Sequence, residues 1–284
     1  MIPAAFDYEQ AQSLADALAA AAAEDTKVIC GGQTLIPLLR FRLTQPRRVV
    51  GIGHLPALRG IRVADGVVRI GAATTYRELL DSQELRGAAP LILEVTSNIG
   101  DIQVRNLGTI GGALVHADPS ADMPGAMLVL DASFHVQASG GSRAIKARDF
   151  FRGAFDTALK PGELLVAIEL PVVPSGSGAA YEVFEQAASG YPLVGAAALV
   201  TRSGPRVTDA RLAFTGLTDA PFLVAAVSAL VGSKGETDVI ARIAELSVQG
   251  IEANVDHHAG AEYRLHLASV AARRALTLAV ARAM

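Results

Sequence analysis

The 284-residue chain has one cysteine, Cys30, and no tryptophan. A single thiol excludes an internal disulfide, a four-cysteine zinc site and an iron–sulfur cluster held by this chain alone. An excess of either charge is missing as well. Lys and Arg number 25 against 28 Asp and Glu, a formal charge of −3, so no basic surface is on offer to nucleic acid. Long apolar runs are also absent. The longest uncharged stretch, Gln186 to Thr201, has 16 residues and carries Ser189, Gly190, Pro192 and Gly195. That is short of the roughly 20 residues a membrane-spanning helix needs. The opening Met-Ile-Pro-Ala-Ala-Phe-Asp lacks the basic region and apolar core of an export signal, so a cytoplasmic protein is expected. Both common nucleotide fingerprints are missing. Gly51-Ile52-Gly53 has no third glycine for G-x-G-x-x-G, and no G-x-x-x-x-G-K-[ST] occurs. If a dinucleotide binds, it binds by another scheme.

At about 150 residues per domain the length suggests two domains. Ser13 followed by Asp16 opens an Ala/Leu-rich helix to Ala23, Lys27–Cys30 reads as a strand, Leu35–Leu39 as a helix and Val49–Gly53 as a strand. This order implies a small parallel unit. Further strands are expected at Val67–Gly71, Ser133–Ala138, Arg143–Lys146 and Leu164–Leu170, with helices at Tyr76–Leu80, Leu91–Val95 and Asp122–Leu130. Pro171–Gly178 (PVVPSGSG) reads as a linker. Beyond it, strands at Tyr181–Phe184, Leu193–Thr201 and Val207–Phe214 precede helical runs at Pro221–Val231, Thr237–Gln249 and Glu262–Arg282. Strands followed by helices indicate an α+β layer with an antiparallel sheet.

Two glycine-centred segments stand out: Cys30-Gly31-Gly32-Gln33-Thr34, and Gly108-Thr109-Ile110-Gly111-Gly112. Glycines let a backbone turn sharply and approach a ligand, and successive N–H groups form a concave anion site. Two such loops could clamp the phosphates of a dinucleotide, although an isolated Gly-Gly is more often a plain turn. The second segment runs on through His116, Asp118, Pro119, Asp122 and Pro124. His116 with two carboxylates could suggest a metal, but no further ligand cluster is visible. Asp122 reads equally as a helix N-cap and as an acceptor for sugar-alcohol hydroxyls.

The run Cys30-Gly-Gly-Gln-Thr-Leu-Ile-Pro-Leu-Leu-Arg-Phe-Arg-Leu43 resembles the first flavin loop of the medium, FAD-binding subunit of molybdenum hydroxylases. Val104-Arg-Asn-Leu-Gly-Thr-Ile-Gly-Gly-Ala-Leu-Val-His-Ala-Asp-Pro-Ser-Ala-Asp122 resembles its second. This is the family of the heterotrimeric relatives of xanthine dehydrogenase and carbon monoxide dehydrogenase. Gly71–Thr75, Pro161–Leu165 and Tyr263–Leu276 resemble further family segments, so the likeness covers essentially the whole chain. It implies an α+β fold: a two-lobed FAD-binding domain of the vanillyl-alcohol-oxidase type over residues 1–175, with lobes of about 1–55 and 56–175. A C-terminal domain of the carbon monoxide dehydrogenase flavoprotein type would occupy 179–284.

The resemblance also implies a site. Ile29, Cys30, Gly31, Gly32, Gln33, Thr34 and Leu35 would wrap the FAD pyrophosphate, and Thr109, Ile110, Gly111 and Gly112 would close on it from the other side. Asp122 would bind the ribityl chain, Ile168 or Leu165 would pack on the adenine or flavin, and Tyr191 would lie against the isoalloxazine. Neither a catalytic acid–base residue nor a metal ligand is expected on this chain. Three positions depart from the family pattern: Ala113 where many relatives have a polar residue, Cys30 where Ala is common, and Glu185 where a basic residue is frequent. FAD would pass electrons from [2Fe–2S] clusters of a small partner subunit to an external acceptor, with molybdopterin on a large subunit and the heterotrimer doubled. The alternative is a stand-alone FAD oxidoreductase of the wider vanillyl-alcohol-oxidase family. That enzyme would need its own acid or base, for which Tyr191 and Glu185 are the only candidates.

Overall fold

Three separately packed cores build the chain, which is described over residues 2–283 of a computed structural model. The first lobe comprises β1 (Asp7–Gln10), α1 (Leu14–Ala22), β2 (Thr26–Ile29), α2 (Leu35–Arg40) and β3 (Arg48–Gly51). Its sheet is parallel in the order β1-β3-β2, the arrangement the alternating strand and helix signals imply. Ser13 caps α1 as expected, its hydroxyl accepting from the Asp16 N–H at 3.1 Å.

The second lobe starts with the hairpin β4 (Ile61–Ala64) and β5 (Val67–Gly71). Six short helices follow: α3 (Tyr76–Asp81), α4 (Gln83–Ala88), α5 (Pro90–Asn98), α6 (Ile102–Leu107), α7 (Ile110–His116) and α8 (Met123–Val129). Strands β6 (Ser133–Ala138), β7 (Gly141–Lys146), β8 (Phe151–Gly153), β9 (Asp156–Thr157) and β10 (Leu164–Pro171) complete it. The main sheet has the order β4-β5-β10-β6-β7 and is antiparallel throughout. Its apolar face is buried with α5, α7 and α8 in the largest core.

The C-terminal part is a four-stranded antiparallel sheet of β11 (Ser177–Glu185), β12 (Pro192–Ser203), β13 (Arg206–Thr215) and β14 (Phe222–Leu223), covered by α9 (Thr237–Leu246) and α10 (Ala261–Arg282). Helix α10 meets the sheet through Ala268, Ala271, Ala272, Ala275 and Ala279, all fully buried. Small side chains on both surfaces let helix and strands approach closely. A side chain on Gly178 would collide with the Ala279 carbonyl.

Two expectations are corrected here. Pro221–Val231 is not an α-helix: Phe222–Leu223 adds a strand to the sheet edge and Ala225–Leu230 is a 3-10 turn. The Val231 N–H closes back on Ser228, so the run never reaches α-helical pairing. The supposed linker is largely structured, since Pro171 ends β10 and Ser177 begins β11. Even the residues between are fastened, with Val172 N–H donating to Gly66 and Val173 N–H to Ala88, both at 2.8 Å.

Candidate functional site

A cleft of about 900 Å³ opens where both N-terminal lobes meet the β11–β12 loop, a size within the roughly 300–1,000 Å³ of small-molecule sites. Both glycine loops line it. They are adjacent because Gly31 rests directly on the Leu107–Gly108 backbone, where any Cβ would overlap the Leu107 carbonyl. The loops are not equivalent, however. In the first, the N–H groups of Gly32, Gln33, Thr34 and Leu35 find no protein acceptor among the described residues. Gly32 has φ +74°, a left-handed conformation that favours glycine. The Thr34 hydroxyl makes no capping bond to α2. This is a row of donors without a partner, and backbone donors are seldom left so.

The second loop spends its donors internally. Ile110 N–H donates to Thr74 (3.1 Å), Gly111 N–H to Ala72 (2.9 Å) and Gly112 N–H to the Thr109 hydroxyl (3.3 Å). Thr109 thereby caps α7. Gly111 is glycine because a Cβ there would lie 2.5 Å from the Ala72 carbonyl oxygen, a clash with the protein rather than with a ligand. The two loops thus differ: the first holds N–H groups without a partner among the described residues, and the second has the N–H groups of Ile110, Gly111 and Gly112 paired within the protein.

Of the other residues singled out in the sequence, Ile29, Cys30, Leu35, Leu165, Asp122 and Tyr191 line the cleft. Ile168 does not. It is fully buried opposite Ile70 and Phe134 in the second-lobe sheet, because it points to the face covered by helices. The Ile110 side chain is likewise in the core, where it anchors the first turn of α7. Cys30 lies beside Thr109 and its thiol pKa is raised, by burial above all.

Asp122 precedes α8 but makes no side-chain cap bond, so the N-cap reading does not hold. Its carboxylate is buried and instead accepts from the Tyr181 hydroxyl at 2.7 Å. Burial and the nearby Glu185 charge push its pKa up to about 7, against the opposing pull of the Tyr181 bond. Glu185 and Asp118 also line this end of the cleft. The half-exposed Tyr191 stands over it, its phenol pKa raised by burial and by Asp118 and Asp122. At the first-lobe side, Glu163 is pinned by both nitrogens of an Arg143 fork at 2.8 Å and by the Lys160 N–H at 2.7 Å. Those bonds, Arg143 first, hold its pKa down to about 2.

The C-terminal sheet fixes the segment before Asp122. Gly216 N–H donates to Pro119 at 2.9 Å, and the Thr215 hydroxyl donates to Ala121. Arg264 of α10, almost fully buried, donates to the Leu193 and Gly216 carbonyls and to Asp256. Sequence reasoning passed over Tyr181, Thr215 and Arg264.

Two family models match. Residues 4–173 fit the FAD binding domain in molybdopterin dehydrogenase, and residues 179–279 the CO dehydrogenase flavoprotein C-terminal domain. The chain belongs to the FAD-binding medium-subunit family of the molybdenum hydroxylases. It is 37% identical over its whole length to the carbon monoxide dehydrogenase medium chain of Afipia carboxidovorans, covering 99% of that protein. It is 36% identical to the glyceraldehyde dehydrogenase medium chain of Sulfolobus acidocaldarius, over 97% of this chain and 98% of the other. In structure it resembles a chain of quinoline 2-oxidoreductase from Pseudomonas putida 86, at a TM-score of 0.95 with 32% identity and full coverage of both chains. It is an FAD-binding oxidoreductase subunit of α+β fold.

The cleft suits that cofactor. Four unpartnered N–H groups match the anionic oxygens of a pyrophosphate. A buried carboxylate at the other end, with no Lys or Arg paired to it among the described residues, matches hydroxyl donors.

Proposed function

We propose that this chain is the electron-transfer subunit of a heterotrimeric molybdenum hydroxylase. It would take electrons from [2Fe–2S] clusters on a small subunit and deliver them to an external acceptor. A large molybdopterin subunit would oxidise the substrate, and two heterotrimers would pair in the cytoplasm. Domains of 1–175 and 179–284 would carry the cofactor and close over it. FAD, when bound, supplies one- and two-electron redox chemistry, and the protein's share is placement and electrostatics.

In this reading Gly31 to Leu35 hold the pyrophosphate, with the N–H row of Gly32 to Leu35 as the observation that carries it. Thr109, Gly111 and Gly112 support that loop from behind. Asp122 accepts from the ribityl hydroxyls, while Leu165 and Tyr191 flank the ring system. The stand-alone alternative needs an acid–base group free to work on an organic substrate. Of its two candidates, Tyr191 has its phenol pKa raised, by burial first, which disfavours it as a base, and Glu185 lies beside the buried Asp122 carboxylate; Glu163 is locked by Arg143. Among the described residues, no helix is long and apolar enough to cross a membrane, and no group of three or more His, Cys, Asp or Glu could hold a metal.

The test is co-expression with neighbouring genes. The expected product is a complex containing this chain, Mo, Fe–S and FAD, in which substrate bleaches the flavin absorbance. A chain that stays monomeric and oxidises a substrate unaided would overturn the proposal.

A further inference from the structure

The Asp122 carboxylate lines the cofactor cleft from the second lobe, yet the only side chain among the described residues that donates to it comes from the C-terminal part. Tyr181, in β11, is buried and sends its hydroxyl to Asp122 Oδ1 at 2.7 Å. The space for that hydroxyl exists because the neighbouring strand has Gly195, where any side chain would overlap the Tyr181 oxygen. β11 is itself anchored to the second lobe. Its Tyr181 N–H donates to Glu94 of α5 at 3.1 Å, and Arg282 of α10 bonds the other Glu94 oxygen at 2.7 Å. The Tyr181 backbone is therefore fastened to α5 of the second lobe while its phenolic oxygen reaches Asp122.

We propose that Tyr181 is a positioning residue for the cofactor: it holds Asp122 by one carboxylate oxygen and leaves the other to accept a hydroxyl of the bound FAD. This rests on the placement of Asp122 at the ribityl chain. The groups facing Asp122 are Tyr76 of α3, Tyr181 and Glu185 of β11, Tyr191 of the β11–β12 loop and Asp118 of its own loop. All are neutral or acidic, so a donated hydrogen bond is what favours the ionised, accepting form of the carboxylate.

The test titrates FAD into the full-length chain stripped of flavin, following flavin fluorescence from about pH 5 to about pH 9. Wild-type affinity is expected to fall as pH drops through the region of about 7, where the carboxyl of the empty site gains its proton. Asp122→Asn, which cannot ionise, should weaken binding and flatten that profile. Tyr181→Phe keeps the ring and removes only the hydroxyl. It should leave the apo melting temperature within a few degrees of wild type, weaken binding about tenfold above neutrality and move the pH-dependent fall upward. The upward direction follows because the lost bond favoured the ionised form. A Tyr181→Phe profile identical to wild type, beside a flattened Asp122→Asn profile, would overturn the positioning role while leaving Asp122 at the cofactor. Wild-type affinity and profile in both variants would overturn the placement of Asp122 itself.

Discussion

Gly111 lies in the second glycine loop, where the sequence alone suggests that its missing side chain leaves room for phosphate. The structure gives a different reason, and Gly111→Ala separates the two. A Cβ at this position would lie 2.5 Å from the Ala72 oxygen and 2.6 Å from the Ala72 Cβ, and real Cβ contacts stay above 3.0 Å. The first turn of α7 must therefore retreat by about 0.5 Å from the segment after β5. That retreat stretches the Gly111–Ala72 bond of 2.9 Å and the Ile110–Thr74 bond of 3.1 Å, both on rigid backbone. Overpacking of this kind costs about 1–3 kcal/mol. The helix gains about 1 kcal/mol from replacing glycine with alanine, so the net loss is about 0–2 kcal/mol. At roughly 2–4 °C per kcal/mol the apo protein should melt up to about 8 °C lower, and Gly111→Val, larger and β-branched, should melt lower still. The assay is thermal unfolding of flavin-free protein followed by FAD titration of the same sample. If the glycine only cleared space for a ligand, apo stability would stay at the wild-type value and FAD binding alone would fail. That result would refute the packing argument.

Gly87 in α4 is the matched control: a Cβ there meets nothing within 4 Å, so Gly87→Ala should raise stability by about 0.4–1 kcal/mol. Asp122→Asn should stabilise the flavin-free protein in a pH-dependent way. The carboxyl pKa is raised above its unfolded value to about 7, so its ionisation destabilises the fold progressively from about pH 4 to about pH 7. The variant's melting advantage should thus be absent at low pH and complete above neutrality; an equal advantage at both ends would refute the assignment. Arg264→Met should cost about 2–4 kcal/mol in thermal or urea unfolding, since two carbonyls lose buried donors at about 1–3 kcal/mol each. Part is recovered because the buried, unpartnered Arg264 Nε disappears, and the Asp256 pair adds little because that carboxylate is 42% exposed.

What could be read from the sequence divides along a physical line. Local signals held: the Ser13 cap on α1, the alternation of Ser133–Ala138, and the strands-then-helices order after residue 177. The glycine loops could be located because phosphate-type loops need several glycines close together. Their division of labour could not, since it depends on which carbonyls the fold brings opposite each N–H: Ala72 and Thr74 accept from the second loop, and no described residue accepts from Gly32 to Leu35 of the first. Ile168 and Leu165 show the same limit. They are three residues apart in one strand, with a β-bulge between Leu165 and Ala167, so counting alternate positions does not say which one faces the cleft. Tyr181 and Arg264 were invisible for a further reason. Their partners lie 59 residues away at Asp122 and 71 away at Leu193.

The partition into three cores explains why the cofactor site needs the C-terminal part at all. The first lobe brings the donor row and the second brings Asp122 and the bracing loop, while the first-lobe core takes in Ala73 and Leu164 of the second lobe and the largest core takes in Ala179, Tyr181, Ala197 and Ala213 of the C-terminal sheet. Beside these shared apolar cores, polar contacts join the parts at the cleft: the Arg59 fork linking Gly53 to Glu78 and the Tyr181–Asp122 bond, with Gly31 resting on the Leu107 backbone. A ligand that touches all three parts stabilises the folded chain by RT ln(1 + [L]/Kd), and the buried apolar residues shared across the junctions hold those parts together around it.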